Sequence, residues 1–338
     1  MTPADYASTS GIILRLQDEV WVNAPIAEHN ANFVRAPRTL LDVDGTSFFV
    51  AGFGLESLAW VCLPPLYHDR TLSTGRPATH FAFSHGDRVR LSPIRGCAMR
   101  CKFCNVPYDD PYETKPVDGA IEALQLAFDD PLQPAHHVMI SGGTPAARDI
   151  PYLRQVYEQV LESARGFDVD IMMVPVRGLF DLPRLKALGL HQLSVNVELF
   201  SEKAARDLMP QKHRFGTKTL VDFIRDATHV LGPASVRSIL MVGIEPATAT
   251  LDGVRAILDA GGVPVLSPFR PDPATPLRDA SPPSADLLEE VFSIASELAV
   301  DAGIPLGPHC PPCTHNTLTF ASLGSPAGVY PYSLPVVV

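Results

Sequence analysis

The chain has 338 residues, 46% of them hydrophobic and 19% charged, with a formal net charge of −10. This is a soluble composition with ample apolar material for a core, as one large α/β domain or two smaller units. The acidic balance, with no Lys/Arg-rich run, argues against a nucleic-acid backbone as partner. No apolar run is long enough to span a bilayer. The start, Met1-Thr-Pro-Ala-Asp-Tyr6, lacks the basic and apolar regions of a signal peptide, so a cytoplasmic location is expected. Six cysteines in this length do not make a disulfide scaffold.

Residues 1–86 read as a small β-rich unit. Ile12–Leu16, Val20–Val22 and Thr46–Val50 are short strands, and Asp44-Gly45 is a hairpin turn between the last of these and Leu40–Val43. From residue 87 to 305 strand and helix alternate. Strands are expected over Arg88–Ser92, His137–Ser141, Val169–Val174, Gln192–Glu198, Val236–Val242 and Val263–Ser267. Helices are expected over Val117–Phe128, Asp149–Ala164, Leu182–Leu188, Ser201–Leu208, Thr217–Val230, Leu251–Ala260 and Ser284–Ala302. Six βα units in a row predict parallel strands with crossover helices, a partial (βα)6 barrel. Residues 306–338, rich in Cys and Pro, are expected to cap its site. In such folds ligands gather at the C-terminal ends of the strands.

Three cysteines stand within eight residues, Cys97, Cys101 and Cys104, in the loop after the first of these strands. Three thiolates are too few to close a tetrahedral zinc site. They suffice to hold three irons of a four-iron cluster and leave the fourth open. A zinc loop with a distant fourth ligand is the competing reading. The loop after the second strand carries Gly142-Gly143-Thr144, where glycine lets backbone approach a ligand closely. On the fourth strand Ser194, Asn196 and Glu198 alternate with Val195 and Val197, one polar face against one β-branched face. A strand covered on both sides should be apolar on both unless one side lines a cavity, so a wet or ligand-filled lumen is expected. Hydrogen bonding to neighbouring strand ends is the alternative for these polar groups.

Cys-x3-Cys-x2-Cys with Phe103 before the last cysteine resembles the signature of the radical S-adenosylmethionine (radical SAM) superfamily, and Pro268-Phe-Arg-Pro271 with Thr275-Pro276 is similar to its biotin-synthase-like branch. The resemblance implies a [4Fe–4S] cluster on Cys97, Cys101 and Cys104, with SAM chelating the open iron. It further implies reductive cleavage to a 5′-deoxyadenosyl radical that abstracts hydrogen from a small organic substrate. An electron donor such as flavodoxin or ferredoxin and sensitivity to oxygen follow. Carried onto this chain, the SAM contacts fall on Phe103, Gly142, Gly143, Thr144, Asn196, Glu198, Arg206 and Gly243. Thr144 stands where the family pattern has glutamate. Lys212 flanks the same segment as Arg206, and Arg177 and Arg270 are candidates for a substrate anion.

A second cluster of metal-ligating types, His309, Cys310, Cys313 and His315, lies near the C-terminus. It reads as an auxiliary iron–sulfur cluster completed by Cys62 or a histidine, as a zinc or structural site, or as a redox-active thiol pair. The first version implies a sulfur-inserting synthase of the biotin or lipoyl synthase kind. A non-enzymatic metal or Fe–S carrier is a further alternative.

Overall fold

The computed structural model describes residues 8–9, 11–16, 21–26, 29–30, 41–43, 47–50, 55–61, 63–308, 313 and 317–318. The N-terminal unit is a five-stranded antiparallel sheet of β1 (Gly11–Leu16), β2 (Trp21–Pro25), β3 (Leu41–Val43), β4 (Ser47–Val50) and β5 (Leu55–Val61), in the order β2-β1-β5-β4-β3. β3 and β4 pair as the Asp44-Gly45 signal requires, Leu41 opposite Val50 and Val43 opposite Phe48; the turn itself lies outside the described residues. β5, which joins the two hairpins, was not anticipated.

The main sheet begins with an antiparallel hairpin, β6 (Ala82–His85) and β7 (Arg88–Leu91), turned at Gly86-Asp87 with Gly86 at φ +60°. Beyond a small ribbon of β8 (Ile94–Arg95) and β9 (Glu113–Thr114), five strands follow: β10 (His137–Ile140), β11 (Asp168–Met172), β12 (Leu190–Ser194), β13 (Val236–Val242) and β14 (Val263–Pro268). Their order is β14-β13-β12-β11-β10-β7-β6, all parallel except β6. This is the curled half-barrel expected from six βα units, with one antiparallel strand added at its edge.

The helices are α1 (Val106–Asp109), α2 (Val117–Phe128), α3 (Ile150–Ser163), α4 (Leu182–Ala187), α5 (Glu202–Leu208), α6 (Pro210–His213), α7 (Thr217–Leu231), α8 (Ala247–Asp259) and α9 (Ala285–Ala302). Helix ends follow the sequence chemistry. Asp181, Ser201 and Ser284 accept from the backbone N–H three residues on, and Gly303, left-handed at φ +64°, closes α9. The sheet's outer face is aliphatic: Val89, Val138, Ile171, Leu193, Val236 and Leu240 are buried in one core with the inner faces of the helices. On α3 that face is Leu153, Val156, Tyr157 and Val160, the i, i+3, i+4, i+7 pattern.

The boundary expected at 86/87 moves. It falls inside the β6–β7 hairpin, and Tyr67, Leu72, Ala78 and Phe81 belong to the barrel's core. Residues from about 65 therefore fold with the barrel, where these apolar side chains are buried. The Phe81 ring lies on Gly119 of α2, where an added Cβ would come within 2.7 Å of its Cε1. Gly119→Ala should lower stability by about 1–3 kcal/mol through overpacking, read as a lower urea midpoint with an unchanged m-value.

Candidate functional site

The cysteine loop leaves the C-terminal end of β7 and is pinched shut at its base. β8 and β9 pair Ile94 with Thr114 and Arg95 with Glu113, and Arg95 ion-pairs Asp110 at 2.8 Å. Gly96, at φ +63°, packs where a Cβ would stand 2.8 Å from the Asp110 and Pro111 carbonyl oxygens, so only glycine fits there.

Three further ties fix the loop. Ala98 N–H donates to the Thr144 carbonyl at 3.0 Å while Thr144 N–H donates to Cys97 Sγ at 3.1 Å. Lys102 N–H reaches the Leu208 carbonyl at 2.7 Å, and Arg100 N–H the Gln211 Oε1 at 3.3 Å. Gly143 seats the loop: its Cβ, if present, would collide with the Gly96 carbonyl oxygen and lie 2.7 Å from Cys97 Cα. The Gly-Gly turn is thus needed to let two backbones touch, a reason the sequence alone did not supply. Met99 N–H also points at Cys97 Sγ, at 3.3 Å. Cys101 and Phe103 pack on a small apolar cluster of Leu199, Ala205 and Met209.

Burial pushes the Cys101 thiol up to about 12, with Lys212 partly offsetting it and Glu198 adding to it. Burial also raises Cys104, to about 11. These thiols therefore hold their protons at neutral pH until a metal displaces them. Among the described residues, no three His, Cys, Asp or Glu side chains converge closely enough for one metal ion. A multi-iron cluster, whose thiolates sit on different irons, requires no such convergence on one ion. Three cysteines, two N–H donors aimed at one of the sulfurs and a backbone-only cradle are a donor set that fits such a cluster.

The cation beside the cysteines is Lys212 of α6. It is 4% exposed and pairs with Glu198 Oε1 at 3.2 Å. Glu198 itself sits at φ +69°, with its N–H bonded to the Ile239 carbonyl and its carbonyl accepting from Met241 N–H. Arg206, expected in this place, instead projects to solvent and stands 3.9 Å from Asp207; its position on α5 faces away from the loop. Asn196 and Glu198 lie past the end of β12 at Ser194, so the expected strand over 192–198 is shorter than read. Asn196 Oδ1 accepts from Ser194 Oγ at 2.8 Å and from Ile239 N–H at 3.3 Å, a strand-end role. Gly243, at φ +105°, is held against Pro283, where a Cβ would stand 2.6 Å from the proline Cβ. Glu245, not singled out in the sequence, clamps the Phe200 and Ser201 N–H groups and Thr250 Oγ1. Arg177 and Arg270 are exposed.

The inner face of the sheet is polar well beyond β12. Asp170 of β11 is 1% exposed. It meets Arg237 at 2.7 Å, His137 Nε2 at 3.0 Å and His191 Nδ1 at 2.9 Å. Asp168 and Asp170 alternate with apolar neighbours, the same period-2 signal that marked the next strand, so this network was within reach of the sequence. Burial alone would lower the His137 imidazole, but the Asp170 bond and the Cys313 thiol override it and hold it at about 10. An unfolded histidine titrates near 6.5. The folded value is the higher one, so this stabilisation is complete below about pH 6.5 and is lost as pH rises through about 10. Stability should fall between pH 7 and pH 10. Asp170→Asn should flatten that slope and cost about 3–5 kcal/mol at pH 7, because it leaves Arg237 buried without a counter-ion. Urea titrations at the two pH values check both.

Of the second cysteine group only Cys313 is described; Cys62, His309, Cys310 and His315 lie outside the described residues. Cys313 is buried, with Sγ 3.9 Å from His137 Nδ1. His137 is the first residue of β10, so Cys313 stands in the lumen near the strand starts, whereas the cysteine loop is at the strand ends. Gly307 pairs with Val265, and Leu318 N–H donates to the Leu266 carbonyl at 2.7 Å. In its described residues the C-terminal segment runs along the open edge of β14, which offers it backbone partners.

Residues 91–248 match the family model for the radical SAM superfamily. The crystal structure of a radical SAM methyltransferase from Sphaerobacter thermophilus superposes with a TM-score of 0.52 at 18% identity, over 67% of this chain and 67% of that one. The crystal structure of HydG, a maturase of the [FeFe]-hydrogenase, gives 0.50 at 12% identity, over 64% of this chain. The chain spans about half the length of HydG, 51%. At these identities the likeness is one of fold. No curated protein matches the sequence. The half-barrel, the cysteine loop at its strand ends and the family match over that region agree: residues 91–248 are similar to the radical SAM superfamily domain.

Proposed function

We propose that the chain is an enzyme that binds a [4Fe–4S] cluster on Cys97, Cys101 and Cys104 and SAM beside Gly142, Gly143 and Thr144. It cleaves SAM reductively and uses the 5′-deoxyadenosyl radical to take hydrogen from a small organic substrate. The observation that carries this reading is the lock between the two motifs, in which Thr144 N–H donates to Cys97 Sγ and Gly143 lies against Gly96. The thiols and the Gly-Gly turn are held as one unit at the strand ends, where the fold gathers ligands.

The bound cluster would supply the electron; the protein binds, orients and excludes water. Phe103 and the Leu199 cluster give the thiols an apolar surround. Lys212 puts a positive charge and Glu198 a negative one beside them. Glu198 and, through its amide nitrogen, Asn196 would contact SAM in this reading, and an electron donor of the flavodoxin or ferredoxin kind would complete the cycle. Anaerobically reconstituted protein, given dithionite and SAM, should form 5′-deoxyadenosine and methionine. Protein that carries iron but leaves SAM intact would defeat the proposal.

A further inference from the structure

Arg88 and Arg90 of β7 both project from the inner face of the sheet. Arg90 stands beside Met139 on one side and Phe83 on the other. It lines two cavities. One, of about 190 Å3, is the lower lumen, shared with Arg88, Arg237 and Cys313. The other, of about 410 Å3, reaches up to Gly96, Gly142 and Gly143. Arg90 is exposed to these cavities, while its strand neighbours Arg88, Val89 and Leu91 are buried.

Three cations nearby are tied to oxygen atoms. Arg237 has Asp170 and Gln192, Lys212 has Glu198, and Lys115 has the His80 carbonyl. Among the described residues no carboxylate lies within ion-pair distance of Arg90. Burial first, and then the like charge of Arg88, push its guanidinium below the ordinary value. Arg90 in turn acts on Lys115, whose pKa burial and Arg90 together lower to about 8. A column of three cations therefore runs up this side of the lumen, and the one in the middle is uncompensated. Holding like charges together costs stability, and a fold carries that cost most simply when an anion completes the site.

We infer that Arg90 is the anchor for an oxyanion, a carboxylate or phosphate group on the substrate, with the rest of the substrate in the cavity that leads to the Gly142-Gly143 turn. This rests on the function proposed above for its placement of the substrate, but not for its test. The guanidinium fork suits either anion by two parallel N–H bonds. Because Arg90 lies at the junction of the two cavities, it would set how far a bound molecule reaches toward the strand ends.

The test is thermal unfolding and calorimetric titration of the full chain with succinate and with inorganic phosphate, at constant ionic strength and with chloride as control. One of the two oxyanions should raise the wild-type melting temperature and bind saturably, and which one does identifies the substrate's group. Arg90→Met should remove that response, with at least a tenfold loss of affinity. It should also melt no lower than wild type without ligand, since the repulsion with Arg88 is gone. Arg90→Lys should keep part of the affinity. Iron content and affinity for SAM should stay within twofold of wild type in both variants. A ligand-free Arg90→Met that melts several degrees lower would make Arg90 structural and overturn the inference. So would an oxyanion response equal in wild type and variant, no response to either anion, or a loss of SAM affinity. Failure of SAM cleavage in wild type would instead strike the proposed function, leaving the anion titration readable.

Discussion

Cys101→Ala should reduce iron from roughly four per chain to background and abolish 5′-deoxyadenosine formation, while the circular dichroism spectrum stays that of the wild type. The reasoning starts from how Cys101 is held. Its side chain packs on Leu199, Ala205 and Met209, and burial raises the thiol to about 12. A half-buried thiol beside two others gains nothing from being there unless a metal draws off its proton. Two thiolates cannot hold the three irons that this spacing serves. The mutation deletes one sulfur atom and leaves the loop's ties at Ala98, Lys102 and Arg100 untouched, so folding is spared. Cys313→Ala supplies the contrast. Cys313 sits against His137 near the strand starts, and its loss should leave iron at the cysteine loop unchanged. Iron and acid-labile sulfide assays on the two variants check the pair of expectations.

The second large effect is expected at a residue that carries no side chain. Gly143→Ala places a methyl group against the Gly96 carbonyl oxygen and 2.7 Å from Cys97 Cα. Both obstacles are backbone, so neither can swing away as a long side chain would. The cysteine loop must move, and with it go the Thr144 N–H bond to Cys97 Sγ and the Ala98 bond to Thr144. A shift of about 1 Å at a reacting centre costs on the order of 100-fold in rate. SAM cleavage should fall by at least that factor, with a broadened or diminished cluster absorbance. Gly178→Ala is the matched control. It too has positive φ, +80°, but nothing lies within 4 Å of its Cβ. It should cost stability of about 1 kcal/mol and leave iron content and cleavage intact.

Period and punctuation made the barrel legible. The parallel strands fell where alternating or β-branched runs predicted them, and α2 spans Val117–Phe128 as read. The edge strand β6 escaped because His85-Gly86-Asp87-Arg88 is a weak turn signal beside the cysteine motif that follows. Short helices such as α6 escaped because four residues carry no periodicity. At the site, spacing was enough to pick out Cys97, Cys101, Cys104 and the Gly-Gly turn. It could not decide between Arg206 and Lys212, since both are basic residues flanking Leu208-Met-Pro210 and only the direction of each side chain separates them. Nor could it show that Asn196 spends its carbonyl oxygen on strand ends, or that Asp170 gathers Arg237, His137 and His191 from three other strands. Those are long-range facts, set by how the sheet curls and not by any local run.

The central claim is a cluster held by three thiolates with one iron left for SAM. It is tested most directly by electron paramagnetic resonance of the reconstituted, reduced protein with and without SAM, alongside an iron count. The account predicts a reduced [4Fe–4S] signal whose line shape changes when SAM is added, and roughly four irons per chain. A signal indifferent to SAM, or a chain that takes up one zinc and no iron, would contradict it.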